Sequence, residues 1–541
     1  MKKQDEEKRK CVEEIPEVPP GWDRCHAYIP KRKRFCRQQR FDPSNLYCGN
    51  HQTLNLSSHP HNNHNENGST IDQNNNSKLK QRKRRRVPCP LDPSHDIFED
   101  KVEKHLKICP AAKLRKRLEE QPFFCQDINT GGYGTKIITC MPPAKGDDRL
   151  EWAKRVARRV LEAHQEVFGP PSSPVKDPIQ VSHDDILNVI PTNDYSQQEL
   201  DLGMMESIQE YRIRSGGAKH VPQIASLVGH LRTIDALKSN KNDSDSDPVI
   251  FLEMGAGRGM FGLAAAGVAN AEQTHNKVHL AMIERTGSKG KADTVLRTAP
   301  DNPQSRYMNL KGIEFSRIEC DLSHVGMSEV VRDLKDGNKV AIAKHLCGAG
   351  TDLALKSLEP IKKKGLKAIM MATCCHGLCT WDLYCGRDTL IEVMEQRKDD
   401  DNERKQTDEV FRFGSAEFEL LRVWSQGTVL DENHQSGLIK EKGPTVDQEH
   451  SHPSVRMQKK NAIPVLQVVQ ALGLKCGVQG LGRACQRLID YGRQQYIQEV
   501  LFDDPGRAKA ESKIEHYVSN QVTPQNALLV GHWKHEDEAT N

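Results

Sequence analysis

The stretch Phe251-Leu252-Glu253-Met254-Gly255-Ala256-Gly257-Arg258-Gly259 decides the reading of this chain. It follows the apolar run Val249–Leu252 and opens into Met260–Ala266, so it reads as strand, glycine loop and helix. Alternating glycines strip the loop of Cβ atoms and let a ligand lie directly against the main chain. The spacing is not the G-x-G-x-x-G of dinucleotide loops: Gly255, Gly257 and Gly259 alternate, and an acid stands in front. That acid, Glu253, is expected at the strand end, where a cationic or hydroxyl-bearing ligand would meet it.

Between residues 249 and 373 the apolar runs Val249–Leu252, Val278–Ile283, Ile313–Glu319, Val340–Ala343 and Ala368–Ala372 alternate with amphipathic stretches. That rhythm predicts an α/β fold, a doubly wound, mostly parallel sheet with ligands at the carboxyl ends of its strands. Upstream, Trp152–Phe168 and Lys219–Leu237 read as helices, the second covering the approach to the sheet. Downstream, Ile463–Leu472 and Arg483–Leu501 read as helices and Ala527–Trp533 as a last strand. Residues 145–240 thus form a helical lead-in and 248–536 the main domain, with polar, aperiodic insertions near 397–409 and 430–460.

The length of 541 residues leaves room for about three domains. A hydrophobic content of 36% and an aromatic content of 5% are low for a wholly globular chain, so part of it is linker. No apolar run approaches the ~20 residues that cross a bilayer, and the first residues lack the apolar core of a signal peptide. Both observations point to a soluble intracellular protein, and no obligate protein partner is evident. Sixteen cysteines in a reducing compartment argue for metal ligands or buried thiols rather than disulfides. Residues 1–120 carry 26 Lys and Arg against 17 Asp and Glu, although the whole chain nets only +4. A basic arm suits a polyanionic partner, the alternative being a solvated tail. Residues 53–86 are a linker ending in Lys83-Arg84-Arg85-Arg86, an import signal or a phosphate contact, so nucleus and cytoplasm both stay open.

Two Cys–His clusters flank that linker. Cys25, Cys36, Cys48 and His51 give C-x10-C-x11-C-x2-H within residues 18–52, and Cys89, His95, His105 and Cys109 give C-x5-H-x9-H-x3-C within 87–112. Each set supplies the four ligands that close a tetrahedral structural Zn2+ site. Both segments are too short and polar to build a core unaided, so metal would provide much of their folding free energy. His105 and Cys109, four apart, are expected on one face of a single helix. The neighbouring Lys31, Arg32, Lys33, Arg34, Phe35, Arg37 and Arg40 suit phosphates and stacked bases.

Two further acids stand behind the glycine loop, Glu284 after the second strand and Asp321 after the third. They are placed for ribose hydroxyls and an adenine amino group. With Glu253 and the glycines they resemble the S-adenosylmethionine site of Rossmann-like methyltransferases. The fourth strand runs into Lys344-His345-Leu346-Cys347-Gly348 and the fifth into Thr373-Cys374-Cys375-His376-Gly377. His345 and His376 are candidates to deprotonate an acceptor hydroxyl, and Lys344 to stabilise the alkoxide. Alternatively Cys374 attacks a base covalently with Cys347 assisting release, as in RNA cytosine-5 methyltransferases. A third metal site from Cys374, Cys375, His376 and Cys379 is disfavoured by the adjacency of its cysteines.

Taken together, the two fingers, Leu252–Gly259, Glu284-Arg285, Lys291-Ala292-Asp293, Lys344–Gly348, Thr351–Ala354, Cys374-Cys375-His376 and the tail Gly480–Arg493 closely resemble one family. It is the eukaryotic tRNA 2′-O-methyltransferases that modify the fourth nucleotide of the acceptor stem. The resemblance implies a Rossmann-like domain behind a CCCH and a CHHC finger, S-adenosylmethionine as donor, zinc in both fingers, and the tRNA acceptor stem as partner. Where the family pattern places a second histidine after Cys-Cys-His, this chain has Gly377, which moves weight onto Lys344 and His345. Arg483, Arg487 and Arg493 are expected to line the RNA face, or else to be solvated helix charges. A zinc-finger RNA-binding protein with a degenerate methyltransferase fold is the non-enzymatic alternative.

Overall fold

The computed structural model describes residues 23–29, 34–36, 85–131, 147–170, 176–203, 217–238, 248–272, 277–285, 292–298, 310–332, 337–395, 411–429, 463–505 and 509–534, with isolated positions between. Cys48, His51, Lys83, Arg84 and both expected insertions lie outside the described residues. The chain divides into two compact units, residues 1–83 and 84–541. In the first, the short strands Tyr28–Ile29 and Arg34–Phe35 pair antiparallel. Cys25 and Cys36 are both buried there.

The second unit is organised by seven strands: β1 Val249–Met254, β2 Val278–Glu284, β3 Glu314–Glu319, β4 Asn338–Cys347, β5 Leu366–Cys374, β6 Ala510–His516 and β7 Ala527–Trp533. Their order across the sheet is β6-β7-β5-β4-β1-β2-β3. Strands β1 to β5 run parallel, and β7 lies antiparallel between β5 and β6. Chain order reverses direction at β1, so the carboxyl ends of β1 and β4 open a crevice where such sheets take their ligands.

Every residue of β1 is buried, because helices cover both faces of the sheet. Phe251, Leu280, Val340 and Ile342 point toward the helices Val221–Thr233 and Met260–Glu272. Leu252, Ala281, Ala341 and Ala343 point the other way, toward the helix Ala349–Leu358 and the end of the long C-terminal helix Gly477–Tyr496. The lead-in helix Asp147–Phe168 joins Ser415–Trp424, Val465–Leu472 and Gly477–Tyr496 in a separate core around Trp424 and Tyr384. Among the described residues no helix is long and apolar enough to cross a membrane.

The five expected runs are the five parallel strands, but β4 and β5 extend further, into Lys344–Cys347 and Thr373-Cys374. Strand β6 was not expected, since Ala-Glu-Ser-Lys-Ile-Glu-His carries little apolar patterning. An edge strand with one side open needs less. The C-terminal helix begins at Gly477 rather than Arg483, passing over glycines that admit close neighbours. At Gly492 a Cβ would fall 2.2 Å from Tyr384 Oη.

The tail arginines correct the sequence reading. Arg483, Arg487 and Arg493 are buried rather than solvated or RNA-facing. Arg483 donates to Pro524 O at 2.8 Å and Asn520 Oδ1 at 3.0 Å, and Arg487 to Leu187 O at 3.0 Å. Arg493 donates to Asp352 Oδ2 at 2.7 Å and Asp490 Oδ1 at 3.1 Å, and to the Gly348 carbonyl at 3.2 Å. Their helix runs through the middle of the second unit, so all its faces meet protein. Removing Arg493 takes the guanidinium from the buried Asp352 carboxylate and leaves Asp490 with only His376 and Thr373. Arg493→Met is expected to destabilise the domain by about 3–5 kcal/mol, measured by denaturant unfolding of the full chain.

Candidate active site and metal centre

The CHHC cluster assembles from a hairpin and two short helices. Strands Arg86–Cys89 and Asp92–Phe98 bring Cys89 beside His95. His105 sits on the helix Val102–Leu106, but that helix does not continue to Cys109. Cys109 instead caps the helix Pro110–Glu119, because Pro110 has no N–H to extend the first helix and suits the start of a second. The chain turns between them, with the Cys109 N–H donating to His105 O at 2.7 Å. The four ligand atoms lie within 4.8 Å of one another. Cys89 Sγ and Cys109 Sγ are 3.8 Å apart, His95 Nε2 and His105 Nε2 3.0 Å, and Cys109 Sγ and His95 Nε2 3.7 Å. Asp92 Oδ2, 3.3 Å from His95 Nδ1, supplies the outer carboxylate that orients a metal-binding imidazole. This donor set fits a tetrahedral Zn2+.

The finger is anchored to the sheet. Arg117 Nη2 meets Glu319 Oε2 at 2.8 Å, Phe124 bridges to Val325, and Asn129 Nδ2 donates to Leu322 O and Val325 O at 2.7 and 2.8 Å. The segment after the finger therefore lies against the loop that follows β3.

At the crevice the three loop glycines do different work. All have positive φ, +61° at Gly255, +52° at Gly257 and +71° at Gly259. A Cβ on Gly255 would strike Leu346 at 2.4 Å, and one on Gly259 would strike Met282 Sδ at 2.5 Å. Only above Gly257 is there open space, with nothing within 4 Å. Its N–H donates to Glu284 Oε2 at 2.8 Å and its carbonyl accepts from Arg317 Nη1 at 3.1 Å. Arg317 is itself held by Asp293 Oδ1 at 3.0 Å. Asp321, just past β3, accepts from the Ser323 N–H and hydroxyl at 2.9 and 2.8 Å. Cys320 N donates to Glu284 O at 3.2 Å, which sets these two acids beside one another.

Glu253 is not at the mouth. It is buried beneath the loop, its Oε2 only 2.5 Å from where a Cβ on Gly262 would stand. Gly262 leaves the space that lets the carboxyl sit under the first turn of the helix Met260–Glu272. Burial pushes it up to about 8, against the pull of the Gly262 and Phe261 amides, Arg317 and Lys344.

The end of β4 presents the polar centre. Pairing with β5 slips between Lys344 and Leu346, leaving His345 outside the ladder at φ +69°. Such a bulge re-aims a side chain. Here it exposes His345 and sets its Nε2 2.6 Å from Lys344 Nζ. His220, which sequence reading passed over, approaches from the start of the helix Val221–Thr233, with Nδ1 3.4 Å from Lys344 Nζ and 3.1 Å from Gln223 Oε1. Its only sequence signal was membership of a helix expected to cover the approach.

His376 does not join this centre. It is 2% exposed, with Nε2 2.8 Å from Asp490 Oδ2, and the Thr373 hydroxyl donates to the same oxygen at 2.9 Å. Burial raises the Asp490 carboxyl, but His376, Arg493 and Thr373 together hold it below the usual range. A Cβ at 377 would fall 2.2 Å from Gln426 Nε2, so a side chain there would have to displace that glutamine. The disfavoured metal set across Cys374–Cys379 does not form: Cys379 Sγ accepts from Arg493 at 3.1 Å, while Cys347, Cys374 and Cys375 come together.

The matching family profiles are those of methyltransferase TRM13 over residues 222–532, a U11-48K-like CHHC zinc finger over 86–110, and the CCCH zinc finger of TRM13 proteins over 23–52. Among curated relatives, the "tRNA:m(4)X modification enzyme TRM13" of Vanderwaltozyma polyspora is 23% identical, over 94% of this chain and 97% of its own. That of Saccharomyces cerevisiae is 26% identical over 69% and 73%. Of solved structures, a Podospora anserina methyltransferase with bound SAH overlays at TM-score 0.25 and 10% identity, covering 64% of this chain and 98% of that one.

The buried acid gives a pH signature. The unfolded chain ionises Glu253 near the ordinary glutamate value of 4.5, whereas the fold holds its proton to about 8. Between these limits the folded state binds more protons, so this group's contribution to stability falls as pH rises. Glu253→Gln is expected to flatten that decline, measured as unfolding free energy from pH 4.5 to 8.

Proposed function

From the chain's membership of the TRM13 methyltransferase family, we propose that it transfers a methyl group from S-adenosylmethionine to a ribose 2′-oxygen at nucleotide 4 of the tRNA acceptor stem. The observation that carries this reading is the juxtaposition of an open glycine cradle at Gly257 with the Lys344, His345 and His220 cluster across the same strand ends. Space over Gly257 and the Glu284 carboxylate beside it fit the sugar end of the cofactor, and Asp321 its adenine. Bound there, S-adenosylmethionine supplies an electrophilic methyl group.

A ribose hydroxyl is a weak acid, so the protein must relieve its proton and stabilise the oxygen that remains. Lys344 places an ammonium between two imidazoles. His345, exposed on its bulge, or His220 takes the proton, while Lys344 steadies the developing alkoxide. The CHHC finger, fixed against the loop after β3, extends the surface on which a duplex stem is read by shape and by its 2′-hydroxyls. Zinc in both fingers belongs to the same reading. Burial speaks against the cytosine-5 alternative: Cys374 is 4% exposed, out of reach of a base.

The test is transfer of labelled methyl from S-adenosylmethionine to bulk tRNA by the full chain, with nucleoside analysis. A 2′-O-methylated nucleoside is expected; label in 5-methylcytidine overturns the ribose assignment. Lys344→Ala should lower kcat by about 10²-fold with cofactor affinity unchanged. Gly257→Ala should weaken cofactor binding in calorimetry, because the new methyl occupies the cradle.

A further inference from the structure

We propose that Cys347, Cys374 and Cys375 form a third metal site, binding a thiophilic cation of the Zn2+ class through three sulfurs and leaving its fourth position open. The three Sγ atoms lie within 4.8 Å of one another. Cys347 Sγ and Cys374 Sγ are 3.8 Å apart, the same separation as Cys89 Sγ and Cys109 Sγ in the CHHC finger. A tetrahedral ion with metal–sulfur bonds of ~2.3 Å requires sulfurs about 3.8 Å apart. A disulfide would need them at ~2.0 Å.

Neighbouring cysteines rarely share one ion, because successive side chains of an extended strand point to opposite faces. Here the strand ends between them. Cys374 is the last residue of β5, and Cys375 adopts φ +47°, ψ +42°, a left-handed conformation uncommon outside glycine. That reversal brings the second sulfur back beside the first. Cys347 comes from β4, paired directly with Cys374, just past the bulge at His345. Two strand ends and one strained residue thus converge on a single point.

The burial pattern fits a three-ligand site with an open coordination position. Cys374 is buried, whereas Cys347 and Cys375 are exposed, so a bound ion faces solvent on one side. Structural sites close all four positions; sites that exchange a water or an oxygen or nitrogen ligand keep one open. Nothing in this argument uses methyl transfer, so the proposal stands or falls separately from it.

The test is metal content of the full chain, purified under reductant in zinc-supplemented medium, by native mass spectrometry and elemental analysis. Cys347→Ser and Cys375→Ser should each lose one zinc relative to the parent and keep the metal lost in Cys109→Ser. Unchanged zinc content in both variants overturns the site. The parent protein gives a readout that needs no variant: Cys347 and Cys375 should alkylate with iodoacetamide slowly until a chelator is added, then fast. Equal rates with and without chelator, or recovery of a Cys347–Cys374 disulfide with no metal, likewise overturn it.

Discussion

The guanidinium of Arg493, with no side-chain exposure, stands between the carboxylates of Asp352 and Asp490. Three buried charges are costly to desolvate, and the arrangement is tolerable only because hydrogen bonds surround them. Arg493 also holds the Gly348 carbonyl and Cys379 Sγ, while Asp490 holds Thr373 and His376. The C-terminal helix is thereby tied to the segments just beyond both β4 and β5. Those strand ends carry Lys344, His345, Cys347, Cys374 and Cys375, so the polar centre rests on this one interior network.

Backbone strain gathers at the same edge. Gly255, Gly257 and Gly259 follow β1, His345 and Gly348 lie at the end of β4, and Cys375 lies at the end of β5, all with positive φ. For His345 and Cys375 such a conformation has a cost that surrounding structure must offset. What the cost secures is direction. His345 turns toward Lys344, and Cys375 turns back toward Cys374. A regular strand would send each to the opposite face.

The CHHC finger depends on the sheet in a different way. Among the described residues its buried cluster is only Cys89, Ile97 and Cys109, too little for a core. Metal ligation supplies the missing free energy, and the contacts of Arg117, Phe124 and Asn129 fix its trailing segment against the loop after β3. That trailing segment thus lies along Ser323 and His324, just past Asp321.

Local pattern was enough for part of this. Alternating apolar runs located five parallel strands because strands covered on both faces must be apolar throughout. Cys and His spacing located the four side chains that converge in the CHHC finger, because a tetrahedral ion accepts only a short inventory of side chains. The family resemblance pointed to methyl transfer. Long-range packing decided the rest. Glu253 is a strand-end acid in the sequence, yet the absent side chain of Gly262 lets it sink beneath the loop. His376 and the tail arginines read as functional polar groups, yet inside the protein His376 pairs with Asp490 of the C-terminal helix and Arg493 of that helix with Asp352, each partner more than a hundred residues away. His220 reaches Lys344 from a separate helix. Which polar residue is buried with a partner and which faces the crevice depends on neighbours brought together only by folding, so residue type and spacing do not determine it.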